Sequence, residues 1–261
     1  MRTVLTIAGS DSSGGAGIQA DLKTFEAHGV FGTSAITAVT AQNTLGVTGV
    51  VTIAPSMVAA QIDAVVSDLG ADATKIGMLA SAPIAHVVAG AIEGLKLQRV
   101  VLDPVMVSKN GARLLDEDAI GAVRTRLLPL ATVITPNVPE AEVLLGRKIT
   151  TRAELGQAAR DLVAAGARAA LVKGGHLPGP ATDVLFDGER LFEFTAERIE
   201  TRHTHGTGCT LSAAIAARLA LGDDLPGAVQ HAKDYVTAAI RRAPGLGQGH
   251  GPLGHAKPAS P

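Results

Sequence analysis

Short apolar runs alternate with longer alanine-rich stretches along most of this chain, and this alternation restricts the fold more than any other feature. The apolar runs predict strands at 3–8, 34–40, 74–76, 99–102, 132–134 and 168–172. Several of them are apolar at every position, which is typical of parallel strands covered on both faces. The stretches between them predict helices at 18–28, 56–69, 83–93, 117–128 and 152–165. We therefore expect an α/β fold with a doubly wound, mostly parallel sheet flanked by helices, an α/β/α sandwich.

The last third of the chain departs from this alternation. In the segment 182–195, Asp187-Gly188 lies between two apolar runs and predicts a β-hairpin. Two further helices are expected at about 207–221 and 226–241.

Length and composition fit one large domain with no affinity for nucleic acid or membranes. The 261 residues are 46% hydrophobic and 2% aromatic, with 23 basic and 24 acidic side chains. Balanced charge gives no field that attracts nucleic acid, and scarce aromatic residues give few surfaces for base stacking. No apolar stretch reaches the roughly 18 residues of a membrane-spanning helix. We predict one domain over 1–246 and a Gly- and Pro-rich tail over 247–261, mobile at least in its last few residues.

The cysteine content indicates the compartment. Cys209 is the single cysteine, so an intramolecular disulfide is impossible, as is typical of proteins in a reducing environment. The apolar run at 1–8 ends at Gly9 and is too short for a secretion signal. We expect a soluble, cytoplasmic protein.

A glycine-rich loop, GSDSSGGAGIQAD at 9–21, joins the first predicted strand to a helix. Such loops let the backbone approach a ligand closely. The loop contains a match to the dinucleotide fingerprint, but the second strand ends in Gln42-Asn43 rather than in the acid that binds a ribose. No Walker P-loop occurs. The loop alone is either a structural turn or a ligand site, and Asp21 either faces a substrate or stabilises the helix N-terminus.

The segment HTHGTGCTLSAA, residues 203–214, places small residues before an apolar helix. Free N–H groups of Gly206, Thr207 and Gly208 would form an anion hole at the positive end of the helix dipole. Cys209 follows in the first turn, where a thiol pKa can fall below its reference of about 8.5. The segment alone leaves three alternatives: an inert cysteine at a helix start, a two-histidine metal site without a third ligand, and a Cys–His hydrolase without an identifiable acid.

The segment TPNVPEAEVLL, residues 135–145, has Asn137 and Glu140 three residues apart at a strand-to-helix junction. This spacing puts both side chains near one face of the first turn. A carboxylate and an amide there suit a hydrated Mg²⁺ ion. The same pattern is also a capping box, in which Asn caps the helix and the acid bonds back to the cap. The sequence leaves both alternatives open.

Glycine or polar residues follow several of the predicted strands. Because an open parallel sheet binds ligands outside the carboxyl ends of its strands, we expect these residues to meet at one site. They are Gly9, Gln42, Gly77, Met78, Asp103, Asn137 and Lys173.

Seven motifs in order resemble those of bacterial hydroxymethylpyrimidine/phosphomethylpyrimidine kinases of the ribokinase-like superfamily. They are GSDSSGGAGIQAD, TAVTAQNT, KIGML, VVLDPVM, ITPNVPEAE, KGGH and HGTGCTLS, and GHGPLGH closes the series. The resemblance implies a ribokinase-like fold, ATP and Mg²⁺ as cofactors, and a homodimer. It also implies two successive phosphorylations for thiamin biosynthesis, first of the small pyrimidine 4-amino-5-hydroxymethyl-2-methylpyrimidine and then of its monophosphate.

The same resemblance implies a role for each matching residue. The pyrimidine would be bound by Gly9, Asp21, Gln42, Met78 and Val105. The ATP phosphates would be bound by Asp103, Asn137, Lys173, Thr207 and Gly208, and the metal by Asp103 and Glu140. Catalysis would rest on the anion hole of Gly206, Thr207 and Gly208, with Cys209 as the base.

Two departures and three alternatives accompany this resemblance. Most ribokinase relatives have Asp at the position of Cys209, and Ser12 replaces a proline that is common in the first glycine loop. A pyridoxal kinase is the alternative within the class, since pyridoxal is a similar flat ring with a hydroxymethyl group. A dinucleotide-dependent oxidoreductase is disfavoured by the missing ribose acid, and a non-catalytic pyrimidine-binding regulator by the intact 206–209 segment.

Overall fold

The structure is a computed structural model that describes residues 1–106 and 117–256. Its strands are β1 (Thr3–Asp11), β2 (Phe31–Asn43), β3 (Gly46–Thr52), β4 (Ala73–Ile76), β5 (Val100–Leu102), β6 (Val133–Ile134), β7 (Ala170–Lys173), β8 (Ala181–Phe186) and β9 (Leu191–Ala196). They form one sheet in the order β3-β2-β1-β4-β5-β6-β7-β8-β9. Pairs β2–β3, β7–β8 and β8–β9 are antiparallel, and the other described pairs are parallel. The predicted mostly parallel sheet and the hairpin are confirmed.

Helices cover both faces of this sheet. They are α1 (Gly17–Ala27), α2 (Pro55–Asp68), α3 (Ala82–Gly94), α4 (Glu117–Ala122), α5 (Val138–Leu145), α6 (Ala153–Ala164), α7 (Thr207–Leu221) and α8 (Leu225–Arg241). Within the described part of the chain, no helix has the length and apolar character needed to cross a lipid bilayer.

Each central strand contributes to two apolar cores. In β5, Val100 and Leu102 pack in the core that contains residues of α2 to α6, whereas Val101 packs in the core of α1, α7 and α8. Successive side chains of a strand point to opposite faces, so every position of β5 is buried. This two-sided burial explains why the central strands are apolar throughout, and it confirms the predicted α/β/α layering.

One strand was not predicted from the sequence, and one helix differs from its prediction. β3 was missed because its sequence is short, contains two glycines and is mostly exposed, so it lacks an apolar pattern. The helix expected to begin after Asn137 is α5, which is only eight residues long. The helix predicted at 117–128 is α4 followed by a π-helical turn at Val123–Leu127 and a 3₁₀ turn at Leu128–Leu130. Pro129 in that last turn has no N–H to continue a helix.

The tail predicted from residue 247 packs against the domain over its described part, 247–256. Leu253 and His255 are only 3% and 5% exposed, and the Gly254 N–H donates to the Ala239 carbonyl at 3.0 Å. A Cβ at Gly254 would overlap the carbonyl of Arg242. Glycine therefore permits close backbone contact here, where composition alone had suggested a free tail. The rest of the tail, 257–261, lies outside the described residues.

Burial of His255 makes the stability of the protein depend on pH. The pKa of His255 is lowered from 6.5 to about 4, first by burial and then by the charge of Lys23, while a hydrogen bond involving the Leu253 backbone partly opposes both. The folded state therefore keeps the ring neutral at a pH where the unfolded chain binds a proton. This contribution to stability is complete above about pH 6.5 and is lost as the pH falls towards 4.

We expect wild type to lose up to about 3 kcal/mol of stability through His255 between pH 7.5 and pH 4.5. His255→Gln should lose correspondingly less over the same interval, because glutamine does not titrate. Urea unfolding at both pH values measures the difference. The matched control is His86→Gln at an exposed position, which should behave as wild type. An equal loss in wild type and His255→Gln would contradict the prediction.

Candidate active site

One cavity of about 850 Å³ lies at the carboxyl ends of the parallel strands. The convergence expected from the sequence is present, since the strand-end residues and the start of α7 line the same cavity. The predicted site residues that line it are Gly9, Gln42, Met78, Asp103, Val105, Asn137, Glu140, Lys173, Gly206, Thr207, Gly208 and Cys209. Asp21 and Gly77, which were also expected at the site, do not line it.

The first glycine loop is organised by Asp11, which the sequence analysis missed. Its Oδ1 accepts from the Ser13 N–H at 2.8 Å, and its Oδ2 accepts from the Ala16 N–H at 2.8 Å. His205 Nε2 lies 2.9 Å from the same Oδ2. Burial would raise the pKa of Asp11, but the hydrogen bonds from His205 and Ser13 hold it below its usual range. The loop is therefore built around an ionised carboxylate.

The second glycine segment packs directly on the first. Gly206 has φ +80°, and a Cβ there would overlap the carbonyl oxygen of Gly15. Only glycine combines this left-handed conformation with such a close approach. A Cβ at Gly208 would lie 3.3 Å from Lys173 Nζ and 3.6 Å from Asp103 Oδ2, so the start of α7 adjoins both side chains. The Thr207 N–H donates to the Thr204 carbonyl at 3.3 Å and is thus already engaged, unlike the free amide expected for the anion hole.

A buried ion pair lies beside Cys209. Lys75 Nζ is 2.8 Å from Asp21 Oδ2, and both side chains are 0% exposed. Thr6 Oγ1 donates to the same carboxylate oxygen at 2.6 Å. Lys75 lines the cavity, whereas Asp21 lies behind it. This placement corrects the expectation that Asp21 faces the substrate directly.

Lys75 was also missed by the sequence analysis. A signal was present, because Lys75 interrupts the apolar strand β4, and a lysine buried on a covered strand requires a partner. The sequence could not indicate that the partner is Asp21, 54 residues away.

The thiol of Cys209 differs from the expectation for a helix N-terminus. Burial raises its pKa from 9.0 to about 11, the charge of Lys75 lowers it, and the carboxylates of Asp21 and Asp103 raise it. The residue is half-buried on the wall of the cavity, where surrounding protein atoms exclude much of the solvent. The expected lowering of the pKa is therefore wrong, because desolvation and nearby carboxylates outweigh Lys75 and the helix dipole.

Asp103 and Lys173 form the charged pair at the centre of the cavity wall. Asp103 Oδ1 accepts from Lys173 Nζ at 2.9 Å and from Thr135 Oγ1 at 3.3 Å. Its Oδ2 accepts from Ser212 Oγ at 3.3 Å. The two charged residues come from the ends of β5 and β7, as predicted, and Ser212 adds a contact from α7 that the sequence analysis missed.

Asn137 and Glu140 form the capping box of α5. Asn137 Oδ1 accepts from the Glu140 N–H at 2.9 Å, and Glu140 Oε2 accepts from the Asn137 N–H at 2.8 Å. Burial raises the pKa of Glu140 to about 7; the charge of Lys173 lowers it and that of Asp103 raises it. Glu140 therefore caps the helix and also places a carboxylate on the cavity wall.

The oxygen ligands on the cavity wall suit a Mg²⁺ ion that is bound together with a nucleotide better than a metal ion whose ligands all come from the protein. Among residues 1–106 and 117–256, no group of three or more His, Cys, Asp or Glu side chains is arranged to hold a metal ion. Mg²⁺ bound with a nucleotide needs only one or two carboxylates, with phosphates and waters as its other ligands. Asp103 and Glu140 lie on one wall of the cavity and could supply two such oxygen ligands. His205, considered as a metal ligand from the sequence, instead pairs with Asp11.

The cavity extends to a second region that the sequence analysis did not predict. Lys233 Nζ lies 2.6 Å from Asp183 Oδ2, and apolar residues of α8 lie nearby on the same wall. Asp183 comes from β8 and Lys233 from α8, so no local motif brings them together. The residues of this region are Ala181, Asp183, Ala196, Arg198, Ile199, Lys233, Val236 and Ile240.

Comparison with known proteins gives consistent matches over nearly the whole chain. A family model described as phosphomethylpyrimidine kinase matches residues 11–254. The chain is 56% identical over 256 residues to the hydroxymethylpyrimidine/phosphomethylpyrimidine kinase of Synechococcus elongatus, with 97% of each sequence covered. It is 52% identical over 254 residues to the thiamine biosynthesis bifunctional protein ThiED of Geobacter sulfurreducens, with 97% of this chain covered. The chain spans about half the length of that bifunctional relative, 52%.

A solved structure shows the same fold. The ADP complex of Bacillus subtilis pyridoxal kinase superimposes with a TM-score of 0.90 at 41% identity. The match covers 98% of this chain and 97% of that kinase. The predicted ribokinase-like fold is confirmed by this likeness.

Alkylation of the single thiol tests the raised pKa of Cys209. Iodoacetamide reacts with the thiolate, so its rate follows the thiolate fraction. For the folded protein the rate should keep rising between pH 9 and pH 10, because the thiol pKa is about 11. The chain unfolded in guanidinium is the control; because the reference pKa of this thiol is 9.0, its rate should rise less than about twofold between pH 9 and pH 10 and then level off. If the alkylation rate of the folded protein levelled off at the same pH as that of the unfolded chain, or at a lower pH, the raised pKa of Cys209 would be contradicted.

Proposed function

The chain belongs to the phosphomethylpyrimidine kinase family, and from this membership and the cavity we propose that it carries out two ATP-dependent phosphorylations in thiamin biosynthesis. The first acceptor is 4-amino-5-hydroxymethyl-2-methylpyrimidine, and the second is its monophosphate, which becomes the diphosphate. The observation that carries the proposal is that Gln42 and Met78, Cys209, and the Asp103–Lys173 pair all line one cavity. That cavity has room for an acceptor ring and a phosphate chain together.

The acceptor ring would bind beside Gly9, Met78, Val105 and Gln42. A Cβ at Gly9 would lie 3.2 Å from Met78 Sδ, so glycine at this position lets the Met78 side chain lie close to the loop backbone on the cavity wall. Gln42 has an amide that can pair with the amino-pyrimidine edge. Hydrogen bonds of this kind discriminate strongly, because an analogue without the matching group leaves a buried amide unpaired.

The phosphates would lie between Lys173 and the start of α7. Phosphoryl transfer requires positioning and charge neutralisation more than covalent chemistry from the protein. Lys173 brings a positive charge, Asn137 a polar side chain, and Gly208 gives phosphate oxygens access to the helix N-terminus. Asp103 and Glu140 would hold Mg²⁺, whose charge would neutralise the transferring phosphoryl group.

Cys209 would receive the proton of the attacking hydroxyl group. Because the transition state is loose, the hydroxyl loses its proton late, when bonding to phosphorus has made it more acidic. Lys75 stabilises the thiolate of Cys209, which is the form that can accept this proton, and the Asp21–Lys75 pair keeps this lysine in place. Asp21 thus supports the reaction through Lys75.

The likeness to a pyridoxal kinase favours a second acceptor. Pyridoxal is also a flat nitrogen ring with a hydroxymethyl group, so the same cavity could present it to the nucleotide. A coupled ADP-release assay with the hydroxymethylpyrimidine, its monophosphate and pyridoxal as acceptors tests both functions. The proposal expects the highest kcat/KM for the two pyrimidines. Turnover of pyridoxal alone would replace the main proposal with the second one.

A homodimer in the reducing cytoplasm completes the proposal. β3 is an edge strand, and Val39 of β2 lies opposite Val51 of β3 with both side chains exposed, Val51 at 67%. An unpaired edge with an apolar face is a surface that a second copy can cover. The single cysteine supports the cytoplasmic placement.

Val51→Lys should weaken this dimer, because it places a charge in the centre of the apolar face. Sedimentation velocity should show wild type as a dimer and Val51→Lys shifted towards monomer, with unchanged thermal stability of the monomer fold. Leu221→Lys, at the exposed end of α7, is the matched control and should remain dimeric. A dimer that survives Val51→Lys would place the interface elsewhere.

Glu140→Gln separates the metal role from the capping role. Glutamine retains the oxygen that accepts from the Asn137 N–H, but it removes the negative charge. We expect a higher Mg²⁺ concentration for half-maximal activity, with thermal stability close to wild type. The measurement is a Mg²⁺ titration of turnover beside a thermal melt. A lower melting temperature with an unchanged Mg²⁺ requirement would leave Glu140 as a cap only.

Cys209→Ala should reduce turnover on the order of 10²–10⁴-fold, the usual contribution of positioned proton transfer. Substrate binding should persist, because the change leaves the 206–208 backbone intact. In wild type the acidic limb of the pH–rate profile should extend to high pH, since the thiol pKa is about 11. Cys209→Asp should recover part of the activity, with this limb at lower pH. An Ala variant as active as wild type would remove Cys209 from the mechanism.

A further inference from the structure

His205 joins several parts of the acceptor side of the cavity. Its Nε2 lies 2.9 Å from Asp11 Oδ2, in the first glycine loop, and 3.2 Å from Gln42 Nε2. The ring also packs against the loop, since a Cβ at Gly15 would lie 2.6 Å from His205 Cδ2. A displacement of His205 would therefore move both Gln42 and the loop.

The backbone of His205 is held by the C-terminal segment 247–255, which we call the strap. The His205 N–H donates to the Gly251 carbonyl at 3.1 Å, and His205 forms an isolated parallel bridge with Pro252. A Cβ at Gly15 would lie 3.2 Å from the Cβ of Pro252. The strap thus reaches the outer side of the glycine loop as well as His205.

The strap is anchored on both sides of His205. On one side, the His250 N–H donates to the Thr44 carbonyl at 2.9 Å, immediately after β2, the strand that carries Gln42. On the other side, Tyr235 OH donates to the His255 carbonyl at 3.0 Å, and His255 Nε2 lies 2.9 Å from Thr210 Oγ1 of α7. The strap therefore ties the end of β2 to α7 and α8.

The glycines of the strap are required by packing. A Cβ at Gly251 would overlap His203 Nδ1 and lie 2.5 Å from the Leu246 carbonyl oxygen. A Cβ at Gly249 would overlap the carbonyl of Thr44. This contact accounts for the glycine spacing of the closing GHGPLGH motif, to which no role had been given.

We propose that the strap is a positioning element of the acceptor site, which acts through His205 to fix Gln42 and the first glycine loop. None of its residues lines the cavity among the described residues, so its effect is indirect. The inference rests on the proposed function in one respect, namely that Gln42 binds the acceptor. On the nucleotide side of the cavity, Lys173 and α8 have no described contact with His205. Gly206–Gly208 follow His205 in the chain, but they are held by α7 itself, for example by the Thr210 N–H that donates to the Gly206 carbonyl at 2.8 Å. The nucleotide side should therefore respond less than the acceptor side.

Gly251→Ala tests the strap, with Gly90→Ala as the matched control. Gly90 lies in α3, and a Cβ there meets no atom within 4 Å. For Gly251→Ala we expect the acceptor KM to rise on the order of tenfold or more, since small displacements of positioning groups are costly, while the KM for ATP changes less than about twofold. Gly90→Ala should match wild type. A merely structural role would lower thermal stability and the active fraction without this separation of the two KM values.

A double-mutant cycle with His205→Gln identifies the route. If the strap acts through His205, Gly251→Ala should raise the acceptor KM much less in the His205→Gln background than in wild type. Leu253→Ala, which weakens a buried anchor without adding atoms, is the second variant should Gly251→Ala fail to fold, and it should show the same acceptor-only change. The inference would be overturned if Gly251→Ala changed the acceptor KM and the ATP KM equally, or changed neither. It would also be overturned if the effects of Gly251→Ala and His205→Gln on the acceptor KM were fully additive. Wild-type turnover, measured first with each acceptor, tests the proposed function separately.

Discussion

A sheet covered on both faces leaves polar side chains little room except at the ends of its strands, and the site follows from that constraint. Leu102 and Val101 bury opposite faces of β5, and the next residue along the chain is Asp103. The same change from apolar strand to polar strand end occurs between Val172 and Lys173 of β7. Because parallel strands end at the same edge, polar residues far apart in sequence meet without a long loop to carry them.

Charge pairing then determines which ionisable groups this edge can hold. Several carboxylates around the cavity have a cation within hydrogen-bonding distance: Asp21 with Lys75, Asp103 with Lys173 and Asp183 with Lys233. Asp11 has the ring of His205 as its partner. Loss of one partner from such a pair is strongly destabilising, because it leaves an uncompensated buried charge. The pairs therefore fix the geometry of the site before any substrate binds, and their mutual neutralisation limits how far one cation, Lys75, can lower the pKa of Cys209.

Local sequence patterns predicted the elements and the strand ends, but not the properties that depend on long-range burial. The apolar runs predicted the parallel strands, and the chain order of Gly9, Gln42 and Asp103 predicted their convergence. The position of Asp21 behind Lys75, the raised pKa of Cys209 and the packing of 247–256 were not predicted. Each depends on contacts between segments far apart in sequence, and a local pattern of residue types carries no information about desolvation at such a contact.

The raised pKa of Cys209 suits a base placed among phosphates. A carboxylate at this position would be ionised at neutral pH and would repel both the nucleotide and the neighbouring Asp103 and Asp21. A thiol with a pKa of about 11 is neutral when the substrates bind, so it adds no repulsion in the ground state. To accept the hydroxyl proton, Cys209 must first lose its own proton, and Lys75 stabilises the thiolate that then carries the negative charge. Burial therefore lowers the fraction of Cys209 that can act as a base at neutral pH, but it also removes the repulsion that a permanently ionised carboxylate would introduce when the phosphates enter.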